Sequence, residues 1–191
     1  MSKFDEALRF AIAAHEGARR KGNDVPYIVH PLEVASIAAS MTADEDVLCA
    51  AVLHDVVEDT PTTLEELRLS FGERVAELVA SETENKRKDL PAADTWLIRK
   101  QESLEALRAT QDRDVLILWL SDKLSNLRSF ARMHRRQGDW MWEIFNQKDP
   151  AQHAWYFRQI AEATSSLADE PAWLELTFLI DDVFAEGAGH D

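Results

Sequence analysis

Four ionisable residues follow an apolar run in the segment LHDVVEDT, which spans residues 53–60. His54, Asp55, Glu58 and Asp59 lie within six positions, directly after DVLCAAV. Ionisable groups beside a buried face cost free energy unless a partner compensates them, and either a metal ion or a solvated helix end would do so. Acidic side chains at a helix C-terminus also oppose the helix dipole. Both explanations stay open for this segment taken alone.

Two other segments carry candidate metal ligands. His30 opens a predicted helix in YIVHP, and Asp122 interrupts the apolar helical run of VLILWLSDKLSNLRS. A carboxylate among buried neighbours needs a cation or a metal as its partner. Together with His54 and Asp55, these residues form a mixed nitrogen and oxygen ligand set that suits an octahedral divalent ion. A sulfur-rich zinc site is excluded, because the chain has a single cysteine.

The composition is that of an ordinary globular chain with a strong acidic charge. The 191 residues are 46% hydrophobic and 29% charged, with a net charge of −14. This charge argues against binding to duplex nucleic acid, although local basic clusters can still attract a small anionic ligand. We expect neither a membrane span nor a signal peptide. The single Cys49 excludes a disulfide framework and favours a cytoplasmic location, while a homo-oligomer stays open.

The hydrophobic pattern around these residues is helical nearly throughout. Phe4, Leu8 and Ile12 recur at helical spacing and predict a first helix that Gly22 ends. Pro31 is typical of the first position of a helix and predicts a second helix that begins at the preceding histidine. We therefore expect the candidate ligands to be positioned by helices.

A third helix is predicted from Asp44 to about Glu58. On a continuous helix His54 and Glu58 lie one turn apart, and so do Asp55 and Asp59. The four polar groups would then form one ledge along the edge of an otherwise apolar helix.

The complete pattern predicts an all-α fold. We expect one helical bundle of about 8–10 helices over residues 1–185, followed by a disordered tail at residues 186–191. The longest irregular segment is expected at residues 82–94, which read ETENKRKDLPAAD.

The order H…HD…D resembles the signature of the HD-domain metal-dependent phosphohydrolases. The segments RRKG, PYIVHPLEVA, AAVLHDVVEDT and SDKLSNLRS are similar to the hydrolase domain of RelA/SpoT homologues, from about residue 5 to residue 130. The resemblance implies an HD-domain bundle that acts as a stand-alone small alarmone hydrolase. Such enzymes hydrolyse guanosine 3′,5′-bis(diphosphate) or its pentaphosphate to GDP or GTP and pyrophosphate, which ends alarmone signalling in the stringent response.

The resemblance also implies a role for each matching residue. The metal ligands, which in the family usually hold one Mn²⁺, match His30, His54, Asp55 and Asp122. The acidic pair that orients and activates the attacking water matches Glu58 and Asp59. The positions that line the nucleotide site match Arg20, Lys21, Asn126, Arg128 and Ser129.

Two alternatives stay open beside this prediction. An HD phosphohydrolase could act on another nucleotide, such as an adenosine alarmone, a dNTP or the 2′-phosphate of NADPH. A catalytically inactive nucleotide sensor is the weaker alternative, because such a protein would be expected to have lost a ligand or one of the acidic pair. The chain departs from the family pattern at Lys123 and Ser125, where arginine and histidine are common, and its loop from Lys21 to His30 is one residue longer.

Overall fold

The computed structural model describes residues 2–22, 24–87 and 89–185. Within these ranges the chain forms α-helices, two short 3-10 helices at residues 138–144 and 165–167, and no β-strand, which confirms the predicted all-α fold. The predicted tail at residues 186–191 lies outside the described residues. The α-helices are α1 (Lys3–Ala14), α2 (Val29–Ala38), α3 (Glu45–Leu53), α4 (Val56–Asp59), α5 (Leu64–Phe71), α6 (Glu73–Glu82), α7 (Ala92–Ala109), α8 (Arg113–Gln137), α9 (Pro150–Ala163) and α10 (Pro171–Val183).

The 25-residue helix α8 is the central element of the fold. It packs against α2, α3, α6, α9 and α10. Its side chains Leu118, Leu120 and Leu124 are completely buried, and burial of such a side chain stabilises the fold by about 1.5–3 kcal/mol. Asp122 lies in the middle of this stretch, so apolar packing determines where its carboxylate points. No helix within the described ranges has the length and apolar character that crossing a bilayer requires.

The connection after α1 differs from the sequence prediction. Helix α1 ends at Ala14, so the predicted end at Gly22 is too late. Gly22 instead lies in the following loop with a φ of 78°, a conformation that glycine adopts without steric cost. A Cβ atom at this position would also lie 2.6 Å from Cδ1 of Ile144. The absence of a side chain at Gly22 therefore allows the loop to approach Ile144, in the segment after α8.

The predicted third helix is interrupted at the two residues that carry the proposed chemistry. Helix α3 ends at Leu53, the turn residues His54 and Asp55 follow, and α4 begins at Val56. Successive side chains on a continuous α-helix point about 100° apart, because one turn holds 3.6 residues. The break allows both side chains to face the same point, and the prediction of one continuous helix to Glu58 was therefore wrong.

Candidate active site

Two buried histidines are oriented by hydrogen bonds at their Nδ1 atoms. His54 Nδ1 lies 2.8 Å from the Ala51 carbonyl oxygen, which can only accept, so this nitrogen carries the proton. His30 Nδ1 lies 2.9 Å from Oγ of Ser125, and the Ser125 hydroxyl donates to Glu33 Oε2 at 2.8 Å. The serine oxygen therefore accepts from His30. In both rings the Nε2 atom is left to face the centre between α2, α3 and α8.

Two carboxylates meet these Nε2 atoms. Asp122 Oδ1 lies 3.0 Å from His30 Nε2 and 3.6 Å from His54 Nε2, while Asp55 Oδ2 lies 3.6 Å and 2.9 Å from the same atoms. The ligand atoms of His30, His54 and Asp122 all lie within 4.8 Å of one another.

The donor set fits a divalent cation. His54 Nε2 is buried and has no hydrogen-bond partner among the described residues, although Asp55 approaches it to 2.9 Å. A buried lone pair that faces carboxylate oxygens is unfavourable unless a cation or a proton lies between them. Two imidazole nitrogens and two carboxylates are also donors that divalent ions such as manganese accept.

Burial and neighbouring charges shift the pKa values at this centre in different directions. Burial by itself would lower the pKa of His54, but the charges of Asp55 and Asp122 outweigh burial and raise it. Burial lowers the pKa of His30 in spite of its contact with Asp122. Burial would raise the pKa of Asp122, but the ammonium of Lys123 and the two histidines hold it well below its usual range. This carboxylate is therefore ionised at neutral pH and available to a cation.

A hydrogen-bonded network also reaches the carboxylate oxygens that face the two histidines. The hydroxyl of Tyr27 donates to Asp55 Oδ2 at 2.6 Å, and Nδ2 of Asn126 donates to Asp122 Oδ1 at 2.7 Å. Arg20 donates in turn to the amide oxygen of Asn126 at 2.9 Å, and its guanidinium lies 5.7 Å from the centre of the Tyr27 ring. The structure thus brings the predicted Arg20 and Asn126 next to the metal-ligand candidates.

The acidic pair Glu58 and Asp59 lies on α4, beside the centre. Lys86 Nζ lies 3.1 Å from Glu58 Oε1 and also donates to Asp59 Oδ1, and the backbone N–H of Glu84 donates to Glu58 Oε2 at 3.0 Å. Burial raises the pKa of Glu58, and the charge of Lys86 opposes this shift. A raised pKa brings a carboxylate closer to the range in which a general base works best near neutral pH.

Two adjoining cavities open at this site. The inner cavity, of about 310 Å³, is lined by His30, Asp55, Asp122 and the acidic pair. The outer cavity, of about 680 Å³, has an apolar wall that includes Phe130 and Phe145. Of these two cavities, the predicted Ser129 lines the outer one. The residues that line both cavities are Arg20, Lys21, Tyr27, Asp59, Lys86 and Asn126.

Arg128 is the one predicted site residue that the structure places elsewhere. Its Nε and Nη2 atoms each donate to the Glu175 carboxylate at 2.6 Å, and Nη1 donates to Glu33 at 3.3 Å. It lines neither the inner nor the outer cavity. In this structure the Arg128 side chain joins α8 to α10 and to α2, and its contact with the nucleotide stays a prediction.

Several charged residues of the inner cavity were missed by the sequence analysis. Lys123 Nζ bonds Asp122 and lies 3.1 Å from Glu82 Oε1, and burial raises the pKa of Glu82 to about 8 although Lys123 opposes the shift. Lys100 lies 2.6 Å from Glu84 Oε1. The sequence signal for Glu84 and Lys100 was the basic clusters ENKRKD and IRKQ in an otherwise acidic chain, whereas Glu82 and Lys123 lie outside these clusters.

Comparison with known proteins relates most of this chain to one family. The HD domain family profile matches residues 7–146. The bifunctional (p)ppGpp synthase/hydrolase SpoT of Escherichia coli K12 is 36% identical over 136 residues, which are 70% of this chain but 19% of that protein. A guanosine-3′,5′-bis(diphosphate) 3′-pyrophosphohydrolase of Aquifex aeolicus is 38% identical over 127 residues, which are 66% of this chain and 18% of that protein. The chain thus spans less than a fifth of the length of these curated relatives.

Solved structures resemble the fold over most of its length. One is a metazoan orthologue of SpoT that is described as hydrolysing ppGpp and acting in starvation responses. It superposes with a TM-score of 0.72 at 26% identity, and the match covers 96% of this chain and 94% of the orthologue. The protein lmo0812 of Listeria monocytogenes superposes with a TM-score of 0.70 at 34% identity, over 81% of this chain and 98% of its own.

Proposed function

The chain belongs to the HD-domain family, and from that premise we propose that it is a metal-dependent 3′-pyrophosphohydrolase of guanosine alarmones. It would hydrolyse guanosine 3′,5′-bis(diphosphate), or the pentaphosphate, to GDP or GTP and pyrophosphate. One observation carries the proposal: a polar inner cavity with a histidine–aspartate centre opens into an outer cavity whose size and apolar wall suit a nucleoside. The activities named for the relatives from Escherichia coli and Aquifex aeolicus, and for the metazoan orthologue, support the same chemistry.

Membership of the HD-domain family and the grouped histidine and aspartate side chains indicate a divalent metal ion. We assign one ion to His30, His54, Asp55 and Asp122, and Mn²⁺ is the ion that we propose. Such an ion, when bound, polarises a phosphoryl oxygen and lowers the pKa of a water molecule.

Glu58 and Asp59 are the residues that we assign to the attacking water. A carboxylate within reach of this water orients it and accepts its proton as the oxygen attacks phosphorus. The new bond joins the water oxygen to the phosphorus, and the bond between that phosphorus and the ribose 3′ oxygen breaks. The ribose oxygen leaves with the bonding electron pair and takes up a proton, which gives GDP and pyrophosphate.

The remaining predicted residues would bind and orient the nucleotide. Arg20, Lys21 and Asn126 line both cavities and could therefore reach phosphates at either end of the ribose. Ser129 lies in the outer cavity with the aromatic side chains that would cover the base. Positioning of this kind turns the attack into an effectively unimolecular step.

The location and partners of the chain belong to the same proposal. A cytoplasmic location rests on the single cysteine, Cys49, which is buried, and the absence of a nucleic-acid partner rests on the net charge of −14.

A substrate comparison tests the proposed reaction. Purified protein with Mn²⁺ is incubated with guanosine 3′,5′-bis(diphosphate), its adenosine analogue, dGTP or NADPH, and products are separated by anion exchange. We expect rapid release of pyrophosphate from the guanosine bis(diphosphate), because ligands with charge at one end only leave polar groups of the site unpaired. Preferential release of triphosphate from dGTP, or of orthophosphate from NADPH, would defeat the proposal. Preference for the adenosine analogue would overturn the guanine assignment alone, and binding without turnover would indicate a sensor.

A further inference from the structure

The inner cavity poses an electrostatic problem for an anionic substrate. Six carboxylates line this cavity, and six cationic side chains stand among them. Carboxylates repel phosphates, so the cations must be arranged to face the ligand. Four of the cations are already paired with carboxylates of the cavity: Lys86, Arg99, Lys100 and Lys123.

Lys86 differs from the other three paired cations in its exposure and its place. Its side chain is 32% exposed, against 10% for Arg99, 18% for Lys100 and 11% for Lys123. Among the four it is also the one that lines both the inner and the outer cavity. A ligand that spans the two cavities therefore passes directly beside its ammonium group.

The hydrogen bonds of Lys86 leave capacity for such a ligand. A lysine ammonium has three N–H donors on a flexible stem. Two are used by Glu58 Oε1, at 3.1 Å, and by Asp59 Oδ1. The third can donate to a phosphate oxygen without breaking either contact.

The backbone around Lys86 is tied to both walls of the inner cavity. The N–H of Glu84 donates to Glu58 Oε2 at 3.0 Å, and the Glu84 carboxylate binds Arg99 at 2.8 Å and Lys100 at 2.6 Å. These contacts connect the segment after α6 with α4 and α7. The ammonium of Lys86 is consequently held at the acidic pair and not free to range over the surface.

We infer that Lys86 is a specificity-determining residue, which donates to the scissile 3′ diphosphate while it holds Glu58 and Asp59 in place. The inference rests on the proposed function, since it takes the ligand to carry a 3′ diphosphate. The phosphorus under attack must lie near the acidic pair that handles the water, and Lys86 already touches both of those carboxylates. Lys86 thus screens the incoming phosphates from the acidic pair.

The test compares Lys86→Met with Lys3→Met in the Mn²⁺-loaded enzyme. Lys3 is a matched control, because it forms an ion pair with Asp46 at 2.6 Å and is 36% exposed, yet it lines neither cavity. We measure KM and kcat for guanosine 3′,5′-bis(diphosphate) and the inhibition constant of GDP, which has no 3′ diphosphate.

For Lys86→Met we expect KM to rise by about tenfold or more, the effect of losing one charge-assisted hydrogen bond. The inhibition constant of GDP and the manganese content are expected to change by less than about twofold, and Lys3→Met to behave as wild type. If Lys86→Met does not fold, Lys86→Gln, which keeps a donor but no charge, carries the same comparison.

Two results would overturn the inference while leaving the proposed function intact. The first is an unchanged KM with a lowered kcat, which would mean that Lys86 acts only on the acidic pair. The second is a loss of GDP affinity in parallel with KM, which would mean a general electrostatic or structural role. A wild-type protein that does not cleave the bis(diphosphate) would instead defeat the proposed function, and this inference with it.

Discussion

Two regions of the molecule bury histidine to the same extent but surround it with different partners. At the centre between α2, α3 and α8, His30 and His54 are 3% and 2% exposed, and both Nε2 atoms face the carboxylates of Asp55 and Asp122. Near the N-terminal end of α9, His153 is 6% exposed and lies among aromatic rings.

The partners of His153 are those of a packed core. Its ring stacks on Trp142 at 5.1 Å between ring centres, Phe130 and Phe145 approach edge-on, and its Nε2–H donates to the Gln147 carbonyl oxygen at 2.8 Å. Burial alone therefore does not mark a functional histidine. A metal-binding histidine is recognised instead by its two ring nitrogens: one makes a hydrogen bond that orients the ring, and the other faces carboxylates.

The largest expected effect is a loss of metal and activity when a histidine of the metal centre, but not the histidine of the aromatic core, is replaced. His54→Ala removes a ligand of the proposed ion, so metal content and activity are expected to fall together. The rate is expected to drop by roughly a thousandfold, since the ion supplies several kcal/mol of charge stabilisation. His153→Phe is the control and is expected to keep both metal and rate. Metal analysis and steady-state rates check this, and full metal occupancy in His54→Ala would remove His54 from the ligand set.

The next largest effect distinguishes the metal ligands from the acidic pair, because replacing a member of the pair should lower the rate without loss of metal. Glu58→Gln keeps the shape and the hydrogen-bonding atoms of the side chain but removes the base. We expect unchanged metal content and a rate lower by roughly a hundredfold or more. A parallel loss of metal would place Glu58 among the ligands instead.

A smaller effect concerns the support of His30. Ser125→Ala removes the hydroxyl that accepts from His30 Nδ1 and donates to Glu33, so the ring is less well oriented. We expect metal affinity to weaken by about 10- to 100-fold in competition with a chelator. Ser121→Ala is the matched control, because Ser121 is also buried on α8 but donates to the Ile117 carbonyl oxygen of its own helix. Equal metal affinity in the two variants would contradict the orienting role of Ser125.

The smallest expected effect is a change in the pH dependence of stability, and it concerns His153 in the aromatic core. Burial lowers the pKa of His153 from its ordinary value of 6.5, so the unfolded chain binds its proton more readily than the folded chain does. The free energy of unfolding is therefore expected to fall as pH drops below about 6.5, until the folded-state pKa is passed. His153→Phe cannot bind this proton, so its free energy of unfolding is expected to vary less between pH 7 and pH 5. Urea unfolding at both pH values measures the free energy of unfolding of each protein. An equal change between pH 7 and pH 5 in the wild type and in His153→Phe would contradict the lowered pKa of His153.

Packing against a core explains what the sequence could predict of this site. Asp122 and the pair His54 and Asp55 stood out because charged or ionisable groups interrupt apolar helical runs, and the structure brings these residues together with His30. The break at the end of α3 has no signal in LHDVVEDT, because no glycine or proline stands at its two turn residues. Tertiary contacts decide that break, and they are not encoded in local periodicity.

Arg128 and Lys86 show two limits of assigning site residues from the sequence. Helix geometry explains why Arg128 lies outside the two cavities: six residues beyond Asp122 on one helix, its side chain points about 120° away, whereas Asn126 and Ser129 point within about 40°. No comparable rule predicts the direction of the Lys86 side chain, because this residue lies in the irregular segment between α6 and α7. Its position follows from polar contacts with Glu58 and other charged groups, which no sequence pattern specifies.

The hydrogen bonds behind the two ligand histidines have a consequence for the order of events in the cell. Because Ser125 and the Ala51 carbonyl orient His30 and His54, and apolar packing of α8 places Asp122, the site is organised by the fold itself. Small domains that need metal in order to fold acquire it as they form. Here we expect metal acquisition to follow folding, so one cation can replace another in the finished protein. The resident ion would then reflect the relative abundance and affinity of the cations around the mature chain.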